Sequence, residues 1–356
     1  MKEFWSKKIR DAEPYVPGEQ PKDRKFIKLN TNENPYPPAQ SVIAAIHAAA
    51  DEKLRLYPDP ECLDLRRAIA RHTGLREEQV FCGNGSDEIL AFAFQAFFDP
   101  NVPVSFADVT YSFYEVWAKY LDLSVNLIPL NDDFSLPLER FLEEPKGGIV
   151  IANPNAPTGQ ALAAGEVKRV VEAHPDQVVI VDEAYVDFGA ESMARYIDTY
   201  PNLLVVQTAS KSRSLAGLRV GWAMGNENLM AALRCVRDSV NSYTVDRLAA
   251  AGTAAALDNE EYFEKTCAAI AATRDKTRQR LLDSGFAVLP SKANFLFVSH
   301  PGVPGKALFQ GLRERGVLAR WFDKSRIRDH LRITVGTDEE MDALVAALTE
   351  TVKTLK

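Results

Sequence analysis

Cysteine is scarce in this 356-residue chain: Cys62, Cys82, Cys235 and Cys267 are scattered and form no Cys-x-x-Cys pair. That pattern excludes a disulfide scaffold and reads as free thiols in a reducing cytosol. Histidine is equally thin. His47, His72, His174, His300 and His330 fall at no metal-ligand spacing, so no metal is expected. Basic charge is outnumbered, with 42 Lys and Arg against 49 Asp and Glu and a net charge of -7. Such a balance argues against nucleic acid as a partner, because phosphate neutralisation needs a basic face. No run reaches the about 18 apolar residues that would cross a membrane. The first eight residues carry no apolar signal-peptide core, so no membrane is expected and the location is read as cytoplasmic. Internal repeats and low-complexity tracts are also missing.

What remains is an ordinary globular composition, 46% hydrophobic and 26% charged, on a chain longer than one core supports. Residues 1–38 read as an irregular arm, because Pro14, Pro17, Pro35, Pro37 and Pro38 suit turns and extended chain rather than helix. Helices are expected at 40–50 and 63–72. Short apolar runs at 80–82, 104–106, 125–129, 148–152, 178–181, 203–207 and 219–224 then alternate with helical stretches at 86–98, 111–120, 164–173 and 193–198. That alternation predicts an α/β fold with a mostly parallel seven-stranded sheet, in a large domain over 39–257. Helical pattern follows from 226, ending in a long helix over 259–283 with Asp258 as its cap and Gly285 as its stop. Strands at 286–289, 294–299 and 331–335 with helices at 305–315 and 338–353 complete a smaller α+β domain over 258–356, against which the arm can pack.

Open parallel sheets bind ligands at the carboxyl ends of their strands, so the residues that follow each strand carry the chemistry. The run Leu203-Leu204-Val205-Val206-Gln207-Thr208-Ala209-Ser210 ends on Lys211. A partly desolvated lysine suits reaction with a carbonyl, although most lysines are simply solvated. Gly83-Asn84-Gly85-Ser86-Asp87-Glu88 opens a helix whose free amides favour a phosphate; an ordinary Ser or Asp cap is the plainer alternative. The third glycine of a dinucleotide fingerprint is missing, which counts against a nicotinamide cofactor. Asp182-Glu183-Ala184-Tyr185 offers an acid for a metal, a ribose or a cationic ring nitrogen, and the histidine pattern disfavours the first. Asn153-Pro154-Asn155-Ala156-Pro157-Thr158-Gly159 is either a rigid loop aiming amides inward or a plain turn. Together these pieces match pyridoxal 5'-phosphate: Lys211 for the aldehyde, Asp182 for the ring nitrogen, Tyr185 with Asn155 for the phenolic oxygen, Tyr111 as the stacking ring, and Gly85-Ser86-Asp87 with Ser210 and Arg219 for the phosphate.

Those motifs, with Tyr15-Val16-Pro17-Gly18, Asn32-Glu33-Asn34-Pro35, Arg55-Leu56-Tyr57-Pro58-Asp59-Pro60 and Leu331-Arg332-Ile333-Thr334-Val335-Gly336, resemble the fold-type I pyridoxal-phosphate aminotransferases of class I/II. The likeness spans essentially the whole chain and runs to the histidinol-phosphate branch. It implies Lys211, Asp182 and Tyr185 as the catalytic set, with Thr208 also among the cofactor contacts. Tyr57 would reach the phosphate from the partner subunit of a homodimer, while Tyr15, Asn32, Arg320 and Arg332 would face the substrate. The implied reaction is transamination between histidinol phosphate and 2-oxoglutarate, with glutamate as product. An aromatic aminotransferase, a phosphothreonine decarboxylase or a regulator without turnover would share the cofactor residues. One departure stands out: Ala156 occupies the place before Pro-Thr-Gly where the family carries asparagine, which leaves Asn155, one residue earlier, or Asn153 to contact the phenolic oxygen.

Overall fold

The structure is a computed structural model that describes residues 4–10, 12–22 and 24–355, so parts of the expected arm lie outside the described residues. A two-residue strand, β1 (Ile27–Lys28), precedes the strands of a seven-stranded sheet: β2 (Val80–Gly83), β3 (Val104–Ala107), β4 (Val125–Ile128), β5 (Ile149–Ala152), β6 (Val179–Asp182), β7 (Leu203–Thr208) and β8 (Gly221–Gly225). Their spatial order is β2-β8-β7-β6-β5-β3-β4. Neighbours run parallel except at β8, which is antiparallel to both β2 and β7.

The near-continuous apolar runs follow from burial on both faces. Ile149, Ile151, Val179, Val181 and Val205 join one core, and Val150, Ile180, Leu204 and Val206 join the other. Successive side chains thus point to opposite faces, each fully buried aliphatic contributing about 1.5–3 kcal/mol. Pairing also fixes the functional edge. Ala152 lies opposite Asp182, Asp182 opposite Val206, Thr208 opposite Gly221, and Gly221 opposite Gly83. The carboxyl ends of β2, β5, β6 and β7 and the start of β8 therefore share one edge.

The smaller unit holds β9 (Ala287–Val288), β10 (Phe295–Ser299), β11 (Val317–Leu318), β12 (Arg320–Trp321) and β13 (His330–Thr334). An antiparallel sheet runs β12-β13-β10-β9, while β1 pairs in parallel with β11. Helices Gly305–Glu314 and Asp338–Leu355 supply Leu308, Leu312, Leu344 and Leu348 to its core. The 24-residue helix Glu260–Asp283 links the two units.

Three local expectations are corrected. The arm is not irregular throughout, since β1 adds to the small unit and Leu29 is buried in that unit's core. The long helix is capped by Asn259, whose side chain accepts from the Tyr262 amide at 3.4 Å. Asp258 instead closes the preceding helix, Arg247–Leu257. Arg219 is not a strand residue: it sits in the left-handed region at φ 56°, and β8 begins two residues later. Gly285 stops the long helix as expected, at φ +85° where a side chain would be strained.

Candidate active site

At the functional edge lies a cavity of about 290 Å³. It is lined by Lys211, Asp182, Tyr185, Ser86, Asp87, Tyr111, Thr208, Ser210 and Arg219 from the large unit, by Tyr15 and Asn32 from the arm, and by Arg320 and Arg332 from the small unit. Gly85, Asn155 and Tyr57 do not line it.

Asp182 ends β6 and is 5% exposed. Tyr114 donates its hydroxyl proton to Asp182 Oδ2 at 2.6 Å, and the Ala184 amide donates to Oδ1 at 3.2 Å. Burial pushes the carboxyl up to about 6, while these two bonds and the charge of Lys211 act in the opposite direction. Lys211 Nζ donates to the Thr31 carbonyl at 3.4 Å and lies 5.8 Å from the centre of the Tyr185 ring. Its loop is tied down from the arm, because Asn34 Nδ2 donates to the carbonyls of Lys211 and Ser212. Tyr185 packs edge-on against Phe295 and accepts from Asn32 Nδ2 at 2.9 Å, leaving its own hydroxyl proton free to donate.

The helix Gly85–Phe97 starts without a side-chain cap, so neither Ser86 nor Asp87 plays the ordinary capping role. Gly85 stands at φ +82°, and a Cβ there would lie 2.6 Å from Arg219 Nη2. A Cβ on Gly221 would lie 2.5 Å from the Ser86 nitrogen. Only glycine admits these approaches, and they leave uncapped amides beside a guanidinium, an arrangement that attracts a phosphate. The left-handed turn at Arg219 brings its Nη2 to Asp87 Oδ2 at 3.1 Å, with Ser210 Oγ 3.5 Å from Nη1. Asp87 also accepts from the Tyr111 hydroxyl at 2.7 Å. Its carboxylate therefore orients the arginine and the tyrosine, and only its backbone N–H is left for an anion.

The opposite end has cations without carboxylates. Arg332 on β13 donates from Nη2 to the Asn30 carbonyl at 3.1 Å, while its buried Nε has no partner. Burial holds its guanidinium below the ordinary arginine value, and Arg320 adds to that. Arg320 on β12 donates to the carbonyls of Pro17 and Val16, at 3.2 and 2.7 Å, and lies over the Phe322 ring at 5.4 Å. Among the described residues neither arginine meets a carboxylate. Tyr15 stacks on Phe113 at 4.3 Å beside them.

Asn155 is a correction. Its Nδ2 donates to the Val109 carbonyl and Thr158 Oγ1, and its Oδ1 accepts from Thr110 Oγ1. The amide braces its own loop, and Ala152, Pro154 and Ala156 face the cavity instead. Asn155 does not replace the missing asparagine. Tyr57 is 80% exposed and stacks on Tyr243 at 4.7 Å, away from this chain's cavity. Tyr114, Asn34 and Thr31 were missed in the sequence: a lone tyrosine on an apolar helix face reads as core, and no local signal marks the carbonyl of Thr31.

An amine and an acid on one cavity, a stacking ring in Tyr111 and an uncapped cradle with Arg219 fit pyridoxal phosphate. The arginines beyond it fit an anionic substrate. The family profile "Aminotransferase class I and II" matches residues 24–348. The histidinol-phosphate aminotransferase of Clostridium acetobutylicum is 52% identical over 352 residues, covering 99% of this chain and 100% of that protein. That of Marinomonas sp. is 50% identical over 350 residues, covering 98% and 99%. Among solved structures, histidinol-phosphate aminotransferase from Sinorhizobium meliloti in complex with pyridoxal-5'-phosphate superposes with a TM-score of 0.89, at 27% identity and 99% coverage of both chains. The chain belongs to the class I and II aminotransferases, in the family of the histidinol-phosphate aminotransferases.

Proposed function

We propose that the chain is a histidinol-phosphate transaminase, passing the amino group of L-histidinol phosphate to 2-oxoglutarate to give imidazole acetol phosphate and L-glutamate, with pyridoxal 5'-phosphate as cofactor. The observation that carries this is the shared cavity: Lys211 and Asp182 at one end, two arginines without carboxylate partners at the other.

The cofactor, when bound, supplies the electron sink and the carrier for the amino group. Lys211 would hold it by its aldehyde and would serve as the base that moves the proton from the substrate carbon bearing the amine. A base so placed contributes about 10²–10⁴-fold. Asp182 would keep the proton on the ring nitrogen, and Tyr185 would donate to the phenolic oxygen. Ser86, Ser210, Arg219 and the amides at Gly85 and Asp87 hold the cofactor's phosphate, with Thr208 beside them and Tyr111 against the ring. Arg332 and Arg320 hold the substrate's phosphate in one half-reaction and the carboxylates of glutamate in the other, with Tyr15 and Asn32 closing the arm over them. A planar guanidinium suits either anion, so one pocket serves both.

A homodimer, with Tyr57 reaching the partner's phosphate site, is part of the same reading. Its support is an apolar surface of Leu54, Leu56, Tyr57, Val240 and Tyr243, each between 44% and 80% exposed. The four unpaired thiols support a reducing, cytoplasmic setting. Among the described residues no helix is long and apolar enough to cross a membrane. Purified protein given pyridoxal phosphate, histidinol phosphate and 2-oxoglutarate should form glutamate stoichiometrically with the keto product. Release of carbon dioxide, or faster turnover with phenylalanine than with histidinol phosphate, would contradict the assignment.

A further inference from the structure

Tyr114 lies on the helix Phe113–Tyr120, is fully buried, and does not line the cavity. Phe94, Phe106, Tyr111 and Trp117 cage its ring, with centroids between 5.6 and 6.2 Å away. Four aromatic neighbours would suit phenylalanine equally well. Burying a hydroxyl costs free energy unless it finds a partner, and this one finds Asp182 Oδ2 at 2.6 Å. That length belongs to charge-assisted O–H···O⁻ bonds. The Ala184 amide occupies the other oxygen only at 3.2 Å, so Tyr114 is the closer of the two protein donors holding the carboxylate.

We propose that Tyr114 is a positioning residue for Asp182, fixing one carboxylate oxygen from the core side so that the group stays ionised and available to the ring nitrogen of the bound cofactor. This rests on the cofactor reading of the cavity. The groups that act on Asp182 are few. Asp87 on the cradle helix opposes its charge and Lys211 favours it, while Tyr111 and Tyr185 act on Tyr114 itself. Without the phenol, the desolvated carboxylate becomes more basic and draws the proton from the ring nitrogen to itself. The positive charge on the ring is then lost, and the group formed at Lys211 Nζ gives up its own proton only at higher pH.

The test is Tyr114→Phe, which removes one oxygen from an otherwise apolar cage. In protein loaded with pyridoxal phosphate, the pH midpoint of the visible absorbance should rise by about one unit, and kcat for histidinol phosphate should fall roughly tenfold, with KM within about twofold. Phe94→Leu, which loosens the same cage without touching the hydroxyl, should leave the midpoint in place. In an Asp182→Asn background, adding Tyr114→Phe should move the midpoint no further. An unchanged midpoint in Tyr114→Phe, an equal shift in Phe94→Leu, or a further shift on top of Asp182→Asn would each overturn the proposal. If the wild type acquires no such absorbance, or Lys211→Ala retains it, the cofactor reading itself is wrong and this inference falls with it.

Discussion

The two ends of the cavity are built on opposite principles. At the sheet edge the fixed charges are partnered, Asp182 by Tyr114 and the Ala184 amide and Arg219 by Asp87, and only the reactive amine of Lys211 is left with a single long bond to the Thr31 carbonyl. At the far end Arg332 has a buried Nε without a partner, and Arg320 meets backbone carbonyls and the face of Phe322, so among the described residues neither meets a carboxylate. A site that holds one cofactor through many turnovers gains from groups preorganised in place, because their ordering is complete before reaction. A site that must accept two different anions in turn gains from leaving its cations without internal competitors. The cost of a partly desolvated guanidinium with no carboxylate partner falls on stability, which is where function and folding commonly conflict.

The largest expected effect comes from breaking the paired end. Asp182→Asn should leave the cationic ring facing a neutral amide, and losing one partner of a buried pair costs about 3–5 kcal/mol, or roughly two to four decades in rate. Stopped-flow half-reactions with both amino donors should show that loss equally; rates within a few-fold of wild type would contradict it. At the unpaired end, Arg332→Ala should weaken histidinol phosphate and glutamate alike by about 2–3 kcal/mol, read as KM in single-turnover experiments. Without cofactor the two ends should diverge. Arg332→Met should be neutral or stabilising, whereas Asp87→Ala, which leaves the Tyr111 hydroxyl without its acceptor and Arg219 without its exposed ion pair, should destabilise by about 1–2 kcal/mol in denaturant titrations. Equal destabilisation by both would erase the contrast.

A pH-dependent effect on stability sharpens the cost on the paired side. Glu183, next to Asp182 and 2% exposed, accepts from Ser192 Oγ, the Met193 amide and Gln207 Nε2. Burial nevertheless pushes its carboxyl from 4.5 to about 7. A raised acid binds more protons in the folded state than in the unfolded one across that window, so its contribution to stability declines as pH rises from about 4.5 to about 7. Glu183→Gln should remove that decline, so that the variant gains on wild type by up to about 3 kcal/mol across the range. Parallel curves for the two proteins would contradict it.

Much of this was legible in the sequence because a buried parallel sheet writes itself as apolar runs, and its chemistry follows each run directly. Asp182 and Lys211 each follow such a run, and both line the cavity. Less was legible where tertiary pairing decides. β1 and β11 are two residues each, too short to show a period, so the link between arm and small unit was visible only as a possibility. Arg219 reads as the start of a strand, yet the approach of its guanidinium to Gly85 requires a left-handed turn. Asn155 reads as a substitute for the absent asparagine, because one residue is a small displacement in a sequence. In the folded loop that displacement turns its amide toward Val109 and Thr158 and away from the cavity.

The central claim concerns one nitrogen, Lys211 Nζ. Protein loaded with pyridoxal phosphate, reduced with borohydride and digested, should yield one pyridoxyl-labelled peptide, with the label on Lys211. Label on another lysine, or none at all, would contradict the account.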